Sequence, residues 1–306
     1  MPINNILVYC ESSFDIKCGG LTVQYELCKI LENMGINVRI QAPNKIRNSI
    51  FDKYYNNNFN LDETIVIYGE TINGNPLNAP HVLRWILAPI GKCSSIETHK
   101  TWAKTDLVYY FNSDSKFEIN PELIGKFYKI LTCIYINPLI KNYNDPSRSG
   151  YCHAYRKSHY HKNLRYAHPP YASKEITREH KQIDYINIFN KKEIFICYDP
   201  QTFLSIISAM CGCISVVIKV EESPTHSDWI KTTGISQYAK ENKIDRLYGI
   251  AYGLDEISWA RDTIHLVEEQ WNQIKEFLKE KTIKPFLEDL KNIESLENTI
   301  ENNYFK

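Results

Sequence analysis

With 306 residues, 43% of them hydrophobic, the chain is long enough to bury one large core or two ordinary ones, and two domains are expected. Its 36 lysines and arginines balance 36 aspartates and glutamates, so no overall field recruits nucleic acid or an anionic membrane, and neither is expected as a partner. No apolar run approaches the roughly 18 residues that a membrane-spanning helix needs, and MPINNILVYC carries no basic leader. A cytoplasmic protein without a transmembrane segment is therefore expected. The abundance of Asn, Ile, Lys and Tyr suggests an AT-rich genome, and the cytoplasm would be a host's if the source is viral.

Asn5 to Tyr9 (NILVY) is a short apolar run that reads as a buried parallel strand. The polar loop ESSFDIKCGG follows, and Leu21 to Asn33 carries Leu21, Tyr25, Cys28 and Leu31 at helical spacing, with Gly35 placed as a left-handed cap. NVRIQAP supplies the next strand, so the opening segment forms a right-handed crossover unit, the seed of a doubly wound sheet. Thr64 to Tyr68 and Asp106 to Phe111 read as further strands, His81 to Leu87 as a helix or strand, and Leu131 to Ile136 as the strand that closes the first half. The polar stretch Asn142 to Gly150 has the composition of a linker.

After it, Tyr151 to Tyr155 reads as a strand ending in Arg156 and Lys157, and Asp184 to Asn190 as the end of a helix. Glu193 to Tyr198, a helix from about Thr202 to Cys211, and Ile214 to Val220 repeat the strand, helix, strand order. From Ser258 onward the pattern is helical, with Pro285 kinking or dividing the helices. The expected class is α/β, with one domain over residues 1–145, a second over 146–260, and C-terminal helices over 261–306 that pack back on the domains.

The cysteine count, nine, is odd, and Cys10, Cys28, Cys133 and Cys197 fall inside strand or helix patterns, so reduced buried thiols are expected. Cys211 and Cys213 flank Gly212 but lack further ligands at suitable spacing, which favours core packing over metal binding. Neither a metal nor a cofactor is expected: the closest approach to an Asp-x-Asp pair, NSDSKF at Asp114, lacks the second acid. The stretch from His153 to His168 holds four histidines among aromatics and cations without regular ligand spacing, and reads as a mixed surface loop rather than a zinc or RNA site.

Ligands of open parallel sheets bind beyond the carboxyl ends of the strands. Two loops there carry candidates. In the first, Gly19 and Gly20 precede a helix and allow close backbone approach to an anion or sugar hydroxyl. The spacing is neither GxGxxG nor a P-loop, which demotes NAD and ATP. In the second, YDPQTFLSIISAMCGCISVVI, Tyr198 ends a strand, Asp199 and Pro200 turn the chain, and Thr202 stands at a helix start. Asp199 and Thr202 have two readings there, as plain helix caps or as neighbours of a bound diphosphate.

The run from Asp199 to Val217 resembles the carboxyl-half signature of GT-B glycosyltransferases, in which a helix bearing two glutamates eight positions apart ends in a small residue, Cys-Gly and a hydrophobic strand. Aligned on Cys211 and Gly212, Asp199 stands at the first acid and Ile207 at the second, so this chain keeps a shorter acid and loses the other. Three more stretches are similar to blocks of a poorly described bacterial and viral group of these enzymes. They are Glu70 with GNPL (Gly74 to Leu77) and Arg84-Trp85, then RSGYCHAYRK, and YGIAYG (Tyr248 to Gly253).

The resemblance implies two Rossmann-like domains with a cleft between them. It also implies metal-independent transfer of a sugar from a UDP-, GDP- or dTDP-linked donor to a glycan or other hydroxyl acceptor. It places Asp199 near the donor sugar and gives Arg156 and Lys157 the leaving diphosphate. Gly19, Gly20, Tyr198, Thr202, Tyr248 and Gly249 join the donor set, and Gly74, Asn75 and Arg84 the acceptor side of the cleft. Glu70 and Asp15, with Glu11 and His81, are the amino-half groups available to deprotonate an acceptor in an inverting reaction, whereas the signature around Asp199 leans towards retention. Two other readings stay open: a non-catalytic nucleotide-sugar or glycan-binding protein, and a non-hydrolysing nucleotide-sugar epimerase of the same fold.

Overall fold

A computed structural model describes residues 5–12, 14, 18–42, 51–55, 60–112, 128–155, 167–200, 202–293 and 296–297. The chain divides into two compact units, Met1–Tyr135 with Phe277–Lys306, and Ile136–Glu276. Both are α/β, each built on a parallel sheet, and they are consistent with Rossmann-like folds. Among the described residues no helix is long and apolar enough to cross a membrane.

The first unit holds β1 (Asn5–Tyr9), β2 (Asn37–Gln41), β3 (Thr64–Gly69), β4 (His81–Ile86), β5 (Leu107–Tyr110) and β6 (Tyr128–Ile130), in the order β2-β1-β3-β4-β5-β6. Every neighbouring pair is parallel, with Val8 of β1 level with Ile40 and Ile67. The central strands are apolar on both faces because both are covered. On one face Ile6, Val8, Ile67, Leu83 and Trp85 meet helix α1 (Gly19–Asn33) through Leu21, Tyr25, Cys28 and Leu31. Gly35, at φ +86°, closes that helix, its amide donating to the Glu32 carbonyl. On the other face Leu7, Val66, Tyr68 and Val82 pack with Ile72 and Ala79, so a loop rather than a helix covers them.

The segment expected as a closing strand, Leu131 to Ile136, is not one; the strand is Tyr128–Ile130 and the residues after it have no regular structure. The Leu131 amide still donates to the Tyr110 carbonyl, and side chains take up the groups beside it. The Trp85 indole donates to the Leu131 carbonyl, and the Thr132 amide donates to Thr282 Oγ1. His81 to Ile86, left open between helix and strand, is a strand.

The second unit holds β7 (Tyr151–Ala154), β8 (Ser173–Glu175), β9 (Ile194–Cys197), β10 (Ile214–Val217) and β11 (Ile250–Tyr252), in the parallel order β11-β10-β9-β7-β8. Helices α2 (Gln182–Lys191) and α3 (Leu204–Met210) pack through Ile186, Phe189, Leu204 and Ile207 against Cys152, Phe195 and Cys197. On the opposite face Ile196, Tyr198, Val216 and Ala251 meet Ala260 of α6 (Ile257–Thr263). Helices α4 (His226–Lys231) and α5 (Ser236–Glu241) precede β11, and α7 (Val267–Leu278) follows α6. A π-helical turn, Lys279–Ile283, leads without a break into α8 (Lys284–Lys291), with Pro285 as the second residue of α8. Ile283, Phe286, Leu287 and Leu290 belong to the core of the first unit.

Candidate functional site

In each unit the chain leaves the first strand towards one sheet edge and the third towards the other. The order reverses between β1 and β3, and again between β7 and β9. A crevice opens at such a point beyond the carboxyl ends of the strands, and ligands of parallel sheets bind there.

In the first unit Glu11 follows β1, Glu70 follows β3, and Gly19 and Gly20 open α1. The α1 start has no side-chain cap and no acidic residue in its first turn. Glu70 is buried, and the Leu87 amide donates to its Oε2 at 3.0 Å. Burial pushes its carboxyl above the usual range and the charge of Glu11 adds to that, against the backbone amides of Leu87, Glu70 and Ala88, which pull it down. A Cβ on Gly20 would lie 3.7 Å from the Leu87 side chain, so the first turn of α1 passes close to the β4 end. Gln24, one turn further, is buried and accepts the Cys10 thiol at 3.4 Å, and its amide nitrogen stands 3.5 Å from where a Cβ on Gly69 would be. Asp15 lies outside the described residues.

Gly74, Asn75 and Arg84 form one structure. Arg84 is fully buried at the register partner of Tyr68, and its Nε donates to Asp106 Oδ2 at 2.7 Å. Its two terminal nitrogens donate to the Gly74 carbonyl at 2.6 Å and the Ile72 carbonyl at 3.5 Å, and its guanidinium stacks over the rings of Tyr68 and Trp102. Asn75 Oδ1 accepts from the Tyr68 hydroxyl at 2.9 Å and the Ala79 amide at 3.0 Å, and the Gly74 amide donates to Thr101 Oγ1. All three residues fix the loop that covers the sheet. His81 begins β4, at the opposite edge from Glu70, and its Nδ1 pairs with Glu297 at 3.0 Å.

In the second unit Ala154 of β7 is level with Cys197 of β9, and the Tyr155 and Tyr198 rings meet edge to face at 6.0 Å. The two strand ends at the reversal point are thus adjacent. Arg156 and Lys157 follow Tyr155 in sequence and lie outside the described residues, as do His159 and His161. Asp199 is 1% exposed and Tyr198 is fully buried. The turn beyond them is tied down by the Trp229 indole, which donates to the Pro200 carbonyl.

The helix expected from Thr202 starts later and is shorter, Leu204–Met210 with Phe203 at its cap position. Thr202 stands before it and accepts the Leu204 amide at 3.4 Å. A helix of seven residues sums few peptide dipoles. Ile207, aligned with the second acid, is a core residue.

Tyr248 and Gly249 precede β11 and so lie at the amino edge of the sheet, away from Asp199. The Tyr248 amide donates to Gln270 Oε1 and the Gly249 amide to Thr263 Oγ1. Arg148 of the RSG block also stands at that edge, donating to the carbonyls of Phe189, Lys192 and Cys211. Cys211 and Cys213 are fully buried, and burial pushes the Cys211 thiol up to about 12.

The sequence reading passed over Gln24, whose signal was a polar side chain on the apolar stripe of α1, and the contacts of His168. His168 Nδ1 lies 2.7 Å from the buried Tyr198 hydroxyl, and its ring stacks on that of His153. Among the described residues no group of three or more His, Cys, Asp or Glu could hold a metal ion. Neither the protein-family models nor the curated proteins contain a match to this chain.

Proposed function

We propose that the protein is a metal-independent glycosyltransferase of the two-domain GT-B type that takes its sugar from a nucleotide donor. The observation that carries the reading is Asp199, a carboxylate buried just beyond the carboxyl end of β9 at the reversal point, and the chain continues from the neighbouring β7 end into Arg156 and Lys157. In this reading the bond from the anomeric carbon to the leaving diphosphate breaks as the acceptor oxygen bonds to that carbon. Arg156 and Lys157 neutralise the diphosphate, and Asp199 faces the sugar. In the retaining reaction the leaving diphosphate takes the acceptor's proton, and Glu70, at the corresponding point of the first unit, is the acceptor-side carboxylate that takes it in an inverting one. The signature around Asp199 favours retention of configuration.

The test is incubation with UDP-, GDP- and dTDP-sugars and a panel of glycan acceptors, reading release of the free nucleoside diphosphate and, by NMR, the anomeric configuration of the product. Asp199→Asn is expected to lower turnover by roughly 100-fold or more with little change in donor affinity, as for loss of an interaction made in the transition state. Wild-type turnover in that variant would refute the role. A second reading, a nucleotide-sugar-binding protein without turnover, is favoured by Ile207 in the position of the second acid. Saturable donor binding with no nucleotide release across the acceptor panel would support it.

A further inference from the structure

Tyr198 directly follows β9, the central strand of the second unit, and its hydroxyl makes three close polar contacts. The Ala167 amide donates to it at 2.7 Å and the His168 amide at 3.2 Å, which fills both lone pairs of the oxygen. The 2.7 Å contact to His168 Nδ1 is then made by the phenol proton. Nδ1 must therefore carry a lone pair, and His168 is the neutral Nε2–H tautomer.

The other face of the arrangement is a second imidazole. The His153 and His168 rings are stacked, with centroids 3.8 Å apart and planes within 7°. Two imidazolium ions face to face at that distance repel, and after burial, which lowers the proton affinity of both rings, the charge of His168 lowers that of His153 further. His153 reaches the Ser173 hydroxyl at 2.8 Å, and Glu175 on β8 is the nearby negative charge that opposes the loss of proton affinity in both rings. Around the pair stand Ser173 and Glu175 from β8, Tyr198 from β9, and Tyr155 beyond β7, whose ring abuts Tyr198.

We propose that the Tyr198–His168 bond is a latch that pins residues 167–168 to the carboxyl end of β9, closed while His168 is neutral and opened when it takes a proton. On protonation Nδ1 becomes a donor aimed at an oxygen that already accepts two N–H groups, and it no longer accepts the phenol proton. The bond reverses or breaks, beside Asp199. The inference does not depend on the glycosyltransferase reading, because its test involves no sugar transfer.

The test is a long-range 15N–1H NMR titration of the imidazoles of the whole protein, combined with amide hydrogen exchange, carried from about pH 7.5 well below the ordinary histidine value of about 6.5, because burial lowers both rings. At the alkaline end His168 should be the Nε2–H tautomer. As it charges, exchange protection of the Ala167 and His168 amides, corrected for the intrinsic pH dependence, should fall by about tenfold or more, while that of Ile196 in β9 holds. In Tyr198→Phe the two amides should be unprotected throughout. Should that variant fail to fold, His168→Asn should give protection that no longer changes with pH. An Nδ1–H tautomer, or protection that stays constant while His168 titrates, would overturn the latch.

Discussion

Glu70 is a carboxylate held where a neutral side chain would be easier to keep. Its folded-state pKa is raised by burial, so the stability linked to it is fully present below the ordinary carboxylate range and is lost as the pH rises through the folded value. Glu70→Gln keeps an acceptor for the Leu87 amide and removes the buried charge. Its urea midpoint should match that of the wild type near pH 4 and exceed it at pH 7.5; a lower midpoint at pH 7.5 would show that the charge stabilises the fold. Arg84 presents the opposite case. Arg84→Ala strands Asp106 in the core and is expected to cost about 3–5 kcal/mol in chemical denaturation, whereas Arg84→Met with Asp106→Leu should recover most of that. The sequence marked Arg84 only through the block it forms with Trp85, Glu70 and GNPL. It could not distinguish a residue facing a crevice from one roofed by a loop, because strand periodicity fixes the face and not what covers it.

At the scale of elements, the glycines set the geometry of the amino edges. Gly249 has φ +69°, and a Cβ there would meet Ile264 and Val267 side-chain carbons at 2.6 Å. Gly249→Ala is expected to destabilise by at least ~1–2 kcal/mol from backbone conformation alone, with more from the contacts, read as a lower melting temperature. The blocks that carried the family resemblance divide here. RSG and Cys-Gly-Cys meet physically, since Arg148 binds the Cys211 carbonyl and a Cβ on Gly212 would strike the Asn142 side chain at 2.5 Å. YGIAYG serves the same edge through Gly249. These blocks therefore join helices to strands at the amino edge, while Asp199 and Glu70 stand at the carboxyl ends of β9 and β3.

The strands were legible because doubly covered parallel strands are apolar throughout. Leu131 to Ile136 misled for the same reason. That segment has a strand's composition, but after the Leu131 amide, which still donates to the Tyr110 carbonyl, Thr132 pairs with the Thr282 hydroxyl in place of a ladder partner, and a side chain so far along the chain leaves no local trace. The contacts of His153 and His168 were equally out of reach, since they depend on β7 being level with β9 rather than on spacing.

For the whole molecule, the first unit is completed by residues 277–306. Helix α8 delivers Phe286, Leu287 and Leu290 to its core, and Asp289 accepts from the Tyr109 hydroxyl and Lys129. Buried side chains of this kind contribute roughly 1.5–3 kcal/mol each, which together rivals the roughly 5–15 kcal/mol of an entire domain. A protein ending at Glu276 should lose dispersed NMR signals and protease resistance across 1–135 and retain them across 136–276. Native-like resistance in the first segment would show that α8 is dispensable.

Because the core of the first unit draws on side chains near residue 290, the ribosome finishes the entire second unit before the first can close. The later-made unit becomes the earlier to mature, and β1 to β5 wait with their apolar faces open. In the cell, that interval is when chaperones have most to hold.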